Sequence, residues 1–226
     1  MTEPTFEGFG PNALKFLQAL DFHQNREWFA ANREMYEQEL RVPLLAFCGE
    51  AAERARAAGL DMRFDPKKGL FRINRDVRFA NDKRPYNRHV SAVLSSDGTK
   101  QAYGVLYVHI GLERCFFAAG YWALPKEELN LFRRHILTYP ERYRDLLRSL
   151  EAAELTFDQG SALKRLPRGW DDPEDETLAS ALRLKGFTVD RQIPTVAIYD
   201  RTLLEQFEAF AQDASPLLNW GAPVIR

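Results

Sequence analysis

The chain has little cysteine and little histidine. Cys48 and Cys115 are its two cysteines, and His23, His89, His109 and His135 its four histidines, in 226 residues. No Cys-x-x-Cys pair and no Cys/His ligand spacing occurs, which argues against a zinc module or a disulfide framework and fits a reducing cytoplasm. No stretch approaches the ~20 apolar residues that cross a bilayer. The opening Met1-Thr2-Glu3-Pro4-Thr5-Phe6 is neither basic nor followed by an apolar signal core, so a soluble, unexported protein with no membrane partner is expected. Gly-x-x-x-x-Gly-Lys-Ser/Thr, Gly-x-Gly-x-x-Gly and Gly-x-Ser-x-Gly are also missing, which removes the usual warrant for a P-loop NTPase, a Rossmann dehydrogenase or an α/β-hydrolase. Repeats and low-complexity linkers are absent. The formal net charge is -1, so the whole molecule is no obligate polyanion binder, and attraction for phosphate must come from local clustering.

What is present is an ordinary globular balance, 45% hydrophobic and 28% charged, with 16 Phe, 8 Tyr and 4 Trp. That is enough for one core, and a single α+β domain over 1–226 is expected. After Gly10, Ala13, Leu14, Phe16, Leu17 and Leu20 recur at helical spacing, predicting a helix over 11–21 with Phe6 and Phe9 beneath it. Asn25 suits the cap of a helix carrying Trp28, Phe29, Met35, Tyr36 and Leu40, and Pro43 the first turn of another that runs to Ala58. From Leu60 to Tyr121 the pattern shifts to shorter runs of Val, Ile, Phe and Tyr, and this stretch is expected to supply the sheet. Strands are predicted over 89–94, 102–110 and 114–120, the first two joined across Asp97-Gly98 as an antiparallel hairpin that brings His89 and His109 face to face. Helices follow over 126–137, 141–153, 174–182 and 201–214, with a strand over 187–193. Because strands cluster mid-chain, the fold class is α+β, a central antiparallel meander over about 88–120 packed by N-terminal and C-terminal helices.

One segment stands apart. Residues 67–88 carry eight Lys and Arg against Asp76 and Asp82, with Leu70, Phe71, Ile73, Val77, Phe79 and Tyr86 interleaved. Those apolar side chains seek the core and hold the charges near it. Arginine offers a planar fork that matches carboxylate or phosphate oxygens, so Arg72, Arg75 and Arg78 beside Lys83 and Tyr86 suit an oxyanion, with Asp76 and Asp82 orienting them. A second reading fits the same residues: Asp76 and Asp82 pair internally with the arginines and the segment is an ionic frame.

The run Arg72-Ile73-Asn74-Arg75-Asp76-Val77-Arg78-Phe79-Ala80-Asn81-Asp82-Lys83-Arg84-Pro85-Tyr86 resembles the signature of a mainly bacterial family of conserved hypothetical proteins, domain of unknown function 2461. The likeness extends to Phe6-Glu7-Gly8-Phe9, Asn25-Arg26-Glu27-Trp28-Phe29, Val108-His109-Ile110-Gly111, Leu163-Lys164-Arg165, Pro167-Arg168-Gly169 and Leu184-Lys185. His23-Gln24-Asn25 departs from the asparagine run that similar proteins carry. The resemblance supplies a family and no mechanism, but its second basic stretch adds Lys164, Arg165 and Lys185 to the expected site.

The expectation is therefore a domain that binds a phosphate-bearing small molecule or nucleic acid, with no cofactor and no metal. The rival from another class is an enzyme on a phosphorylated or carboxylated small molecule, with His109 or Asp76 as acid or base. A metal-dependent phosphodiesterase built from Glu27, Asp65, Asp76 and Asp82 is the weaker form, because arginines outnumber those carboxylates. Cys48 and Cys115, in apolar surroundings, read as inert packing.

Overall fold

The computed structural model describes residues 5–225. The described residues form eight α-helices and four strands, and the strands lie in the order β1-β2-β3-β4 as an antiparallel meander. The α+β expectation holds. The chain divides into two units. The first takes in the chain up to Ala102, Leu106–Phe117 and Gln192–Phe210; the second takes in Tyr103–Val105, Ala118–Arg191 and the chain from Ala211 on.

In the first unit, α1 (Ala13–His23) buries Phe16, Leu17 and Leu20 on the stripe that the sequence marked. Asn25 caps α2 (Arg26–Ala31) by accepting from the Trp28 N–H at 2.8 Å. A short α3 (Arg33–Tyr36) and a π-helical turn (Glu37–Arg41) lead into α4 (Val42–Ala57), with Pro43 in its first turn. α4 packs on β1 (His89–Leu94). In β2 (Val105–Gly111) burial alternates from Val105 to Ile110, sending Leu106, Val108 and Ile110 to the core and Tyr107 and His109 to the other face. Phe47 stacks on Phe117 and meets Phe207 edge-on at 5.5 Å, closing the core. Phe6 and Phe9 are buried as expected.

The second unit holds the end of β3 (Cys115–Tyr121), α5 (Lys126–Thr138), α6 (Pro140–Ala152), α7 (Glu176–Arg183) and most of β4 (Phe187–Ile193). Phe132, Phe187 and Trp220 pack as one aromatic cluster. Arg133, 3% exposed, donates from Nε to Leu182 O at 2.9 Å and from Nη2 to Leu184 O. A cation on the last carbonyls of α7 satisfies acceptors that the helix leaves open.

Three expectations change. Residues 60–88 do not join the sheet; they touch it through the isolated bridges Arg63↔Ser95 and Leu70↔Ala92 and close on themselves at Asn74↔Tyr86. Asp65-Pro66 turns the chain, and a run charged on both faces has no face to bury. β2 starts at Val105 and not at 102, because 95–104 is a longer loop in which Asp97 accepts from Thr99 N–H and Gly98 takes φ +76°. The last helix, α8 (Thr202–Gly221), continues past Ala214 through Pro216. Buried Leu217 and Leu218 outweigh the hydrogen bond that proline removes.

Candidate functional site

The basic segment is a stemmed loop. Arg75 N–H donates to Pro85 O and Asn87 N–H to Ile73 O, both at 2.8 Å, which zips its base. Gln24, at the left-handed end of α1 with φ +40°, donates to Tyr86 O and accepts from Tyr86 N–H through one side-chain amide. The Tyr86 ring is buried on Phe29 with centroids 4.5 Å apart.

Within this loop the carboxylates hold most of the arginines. Arg78 grips Asp76 through Nε and Nη2, 77% and 61% exposed. Arg75 Nη1 reaches Asp82 at 2.8 Å and Arg84 O at 3.0 Å. Arg84 also pairs with Asp82, at 2.9 Å, and with Asp21 on α1 at 3.0 Å. Lys83 Nζ donates to Val77 O and Arg78 O. The Arg84 guanidinium and backbone N–H, with Arg75, hold the Asp82 carboxyl far below the usual carboxylate range, and Arg78 lowers Asp76. For these residues the geometry is that of an ionic frame. The expectation that the interleaved apolar side chains all turn inward is corrected: Ile73 and Tyr86 are buried, Phe79 is 95% exposed at the loop tip and Phe71 is exposed too. With its charges paired locally, the loop projects without needing the core.

Arg72 differs. It lies before the stem on the wall of a cleft of about 840 Å³ together with Lys67 on one side and Arg26, Arg33 and Arg41 of the helical segment on the other. Glu37 is the one carboxylate lining it; Arg41 pairs with Glu37 at 2.9 Å and Arg33 approaches it at 3.9 Å. Arg26, Lys67 and Arg72 make no side-chain hydrogen bond or ion pair among the described residues. Phe29, Tyr36 and Tyr86 give the cleft an aromatic wall.

A second cleft, of about 490 Å³, opens on the far face of β2. Arg75, Arg84 and Arg88 line it, already engaged by Asp82, Asp21 and Glu113. His89 and His109 stack there with centroids 4.2 Å apart, as the hairpin reading expected. Burial, helped by Arg88, lowers His89 from its ordinary value; burial, His89 and Arg114 push His109 down to about 3.

Of the expected site residues, Arg75, Asp82 and Tyr86 come together at the smaller cleft, and Arg72 and Tyr86 at the larger. Asp76, Arg78 and Lys83 line neither. Lys164 and Lys185 are exposed residues of the second unit. Arg26 and Lys67 were not singled out from the sequence as ligand donors, and Gln24 gave no signal. Among the described residues no three His, Cys, Asp or Glu side chains converge as a metal would require, so Glu27, Asp65, Asp76 and Asp82 do not form a phosphodiesterase centre. Cys48 is fully buried, with its thiol pKa raised by burial, as inert packing predicts. Among the described residues no helix is long and apolar enough to cross a membrane.

Comparison with curated proteins and with solved structures gives no match. Residues 12–220, nearly the whole chain, match the model of the conserved hypothetical protein family DUF2461, and the chain belongs to that family.

Proposed function

We propose that this protein binds a phosphate-bearing small molecule in the cleft of about 840 Å³, gripped by Arg72, Lys67 and Arg26. The observation that carries the reading is the ionic imbalance of that cleft. Five cations line it against the single carboxylate Glu37, and three of them make no side-chain hydrogen bond or ion pair among the described residues. Like charges held together repel one another, and a bound dianion relieves that repulsion while accepting from two guanidinium forks. Phe29, Tyr36 and Tyr86 offer an aromatic wall for the rest of such a ligand. Arg75, Arg78 and Arg84 serve in this reading as the frame that fixes the segment, and Arg72 is the segment's contribution to binding.

The test is calorimetric titration with pyrophosphate, a nucleoside triphosphate and a short DNA, on the wild type and on Arg72→Ala. Saturable binding of the small phosphates that is lost in the variant supports the proposal. Binding of DNA alone would reassign the cleft to nucleic acid, and equal binding by wild type and variant would remove it from consideration.

A further inference from the structure

The stacked histidines have no part in that reading. In the β1–β2 register His89 pairs with Gly111 and Ser91 with His109, so the two imidazoles are diagonal neighbours on one face. A Cβ on Gly111 would lie 2.7 Å from His109 Nε2 and 2.9 Å from His89 Cβ, so the bare glycine is what admits the stack. On its other side His109 stacks on Phe116, with centroids 4.6 Å apart. Both faces of His109 are therefore covered, and a ligand can reach it only at an edge.

The Nδ1 edge is occupied: Tyr107 Oη lies 3.0 Å away. Burial raises the Tyr107 phenol above its ordinary value. A phenol is a stronger donor than acceptor, so at this distance Tyr107 gives its proton to Nδ1, and the neutral imidazole then carries its own on Nε2. Nε2 has no hydrogen-bond partner among the described residues, yet it is not one of their sealed, unpaired atoms; the buried nitrogen of that kind is Trp220 Nε1. An uncharged N–H donor is thus left accessible on a residue that lines the cleft.

The rest of the lining narrows what it would meet. Three of the four lining arginines, Arg75, Arg84 and Arg88, are neutralised by Asp82, Asp21 and Glu113, and the fourth, Arg114, lies over the Phe116 ring. Tyr107 and Leu112 supply apolar surface, while Phe116 is covered by His109 on one face and by the Arg114 guanidinium, 3.8 Å from the ring centroid, on the other. We propose that the smaller cleft is a second ligand site, which takes an uncharged small molecule through a carbonyl oxygen accepting from His109 Nε2–H, with its apolar body against Tyr107 and Leu112. A neutral donor held by its neighbours costs no charge desolvation when the ligand arrives, which is why an amide or ester carbonyl suits it better than a phosphate.

The probe is benzamide, followed through the histidine side-chain ¹⁵N–¹H correlations of the labelled full chain at neutral pH. Expected are a neutral His109 protonated at Nε2, a saturable shift of that signal at millimolar benzamide, and an unchanged response in Arg72→Ala. Tyr107→Phe, which keeps the ring and loses the hydroxyl, should mix the two tautomers and weaken binding roughly fivefold, about one neutral hydrogen bond. A proton on Nδ1, an imidazolium, or a His109 signal that benzamide leaves unmoved would overturn the proposal from the wild-type spectra alone, whether or not Tyr107→Phe folds. Loss of the response in Arg72→Ala would also overturn it by showing that there is one site and not two, and a failure of pyrophosphate to bind would leave this outcome untouched.

Discussion

The two clefts share the Tyr86 wall and are both rich in arginine, yet they are electrostatic opposites. In the smaller one Arg75, Arg84 and Arg88 already have Asp82, Asp21 and Glu113 as partners, Arg114 lies over Phe116, and His109 presents a neutral imidazole edge. In the larger one Arg26, Lys67 and Arg72 make no side-chain hydrogen bond or ion pair among the described residues. A count of arginines would rank the two alike. What separates them is which forks are still free, because a guanidinium that already holds a carboxylate has little left to offer an incoming anion.

The sharpest way to break one cleft without the other is Gly111→Ala. Its Cβ has no room beside the histidine stack, so the variant should lose about 1–3 kcal/mol, as overpacked cores do, and scatter the His89 and His109 signals. Thermal denaturation and the same ¹⁵N spectra check this, and pyrophosphate affinity should stay at its wild-type value. Next in size is Arg72→Ala, expected to weaken pyrophosphate by roughly tenfold to a hundredfold, the worth of charge-assisted hydrogen bonds, with stability within about 0.5 kcal/mol of wild type. Arg78→Ala is its control: that guanidinium is 77% exposed and bound to Asp76, and phosphate affinity should not change. If Arg78→Ala and Arg72→Ala prove equivalent, the division between frame and site is wrong.

Salt should separate the clefts further. Raising ionic strength from about 0.01 M to about 0.15 M shortens the screening length from about 30 Å to about 8 Å, so pyrophosphate affinity should fall while the benzamide response stays level. The smallest effect is a pH slope. His109 titrates near 3 when folded and near its ordinary 6.5 when unfolded, so between those values the unfolded chain binds a proton that the folded chain refuses. That contribution is complete above about pH 6.5 and is lost as the pH falls toward 3. His109→Gln should therefore show a shallower decline of melting temperature between pH 6.5 and 4 than wild type. The depressed Asp82 carboxyl works in the same direction at lower pH, where the unfolded chain takes up a proton that Arg84 and Arg75 keep from Asp82.

Much of the fold was legible because the signals are local and periodic. The stripe of α1, the Asn25 cap, the alternation in β2 and the run Phe187–Ile193 each follow from a spacing of 3.6 or 2 residues. The meeting of His89 and His109 was legible too, since an antiparallel hairpin brings the same face of both strands together. The pairs Asp76–Arg78 and Asp82–Arg84 lie two residues apart, so the frame reading was already written in the sequence. The site was less legible. Arg26 precedes Arg72 by more than forty residues, and nothing in either neighbourhood announces the other; Gln24 binding the backbone of Tyr86 is of the same kind.

By itself the sequence determined the element types, the α+β class, the family and the place where positive charge accumulates, because propensity, periodicity and local charge are properties of neighbours along the chain. Only the tertiary structure decided which arginines are neutralised and which are free, that Phe79 faces outward, and that a bare Gly111 admits a neutral histidine stack. Those outcomes depend on distances of a few ångströms between residues far apart in sequence, where Coulomb attraction and steric exclusion act through space and leave no pattern along the chain.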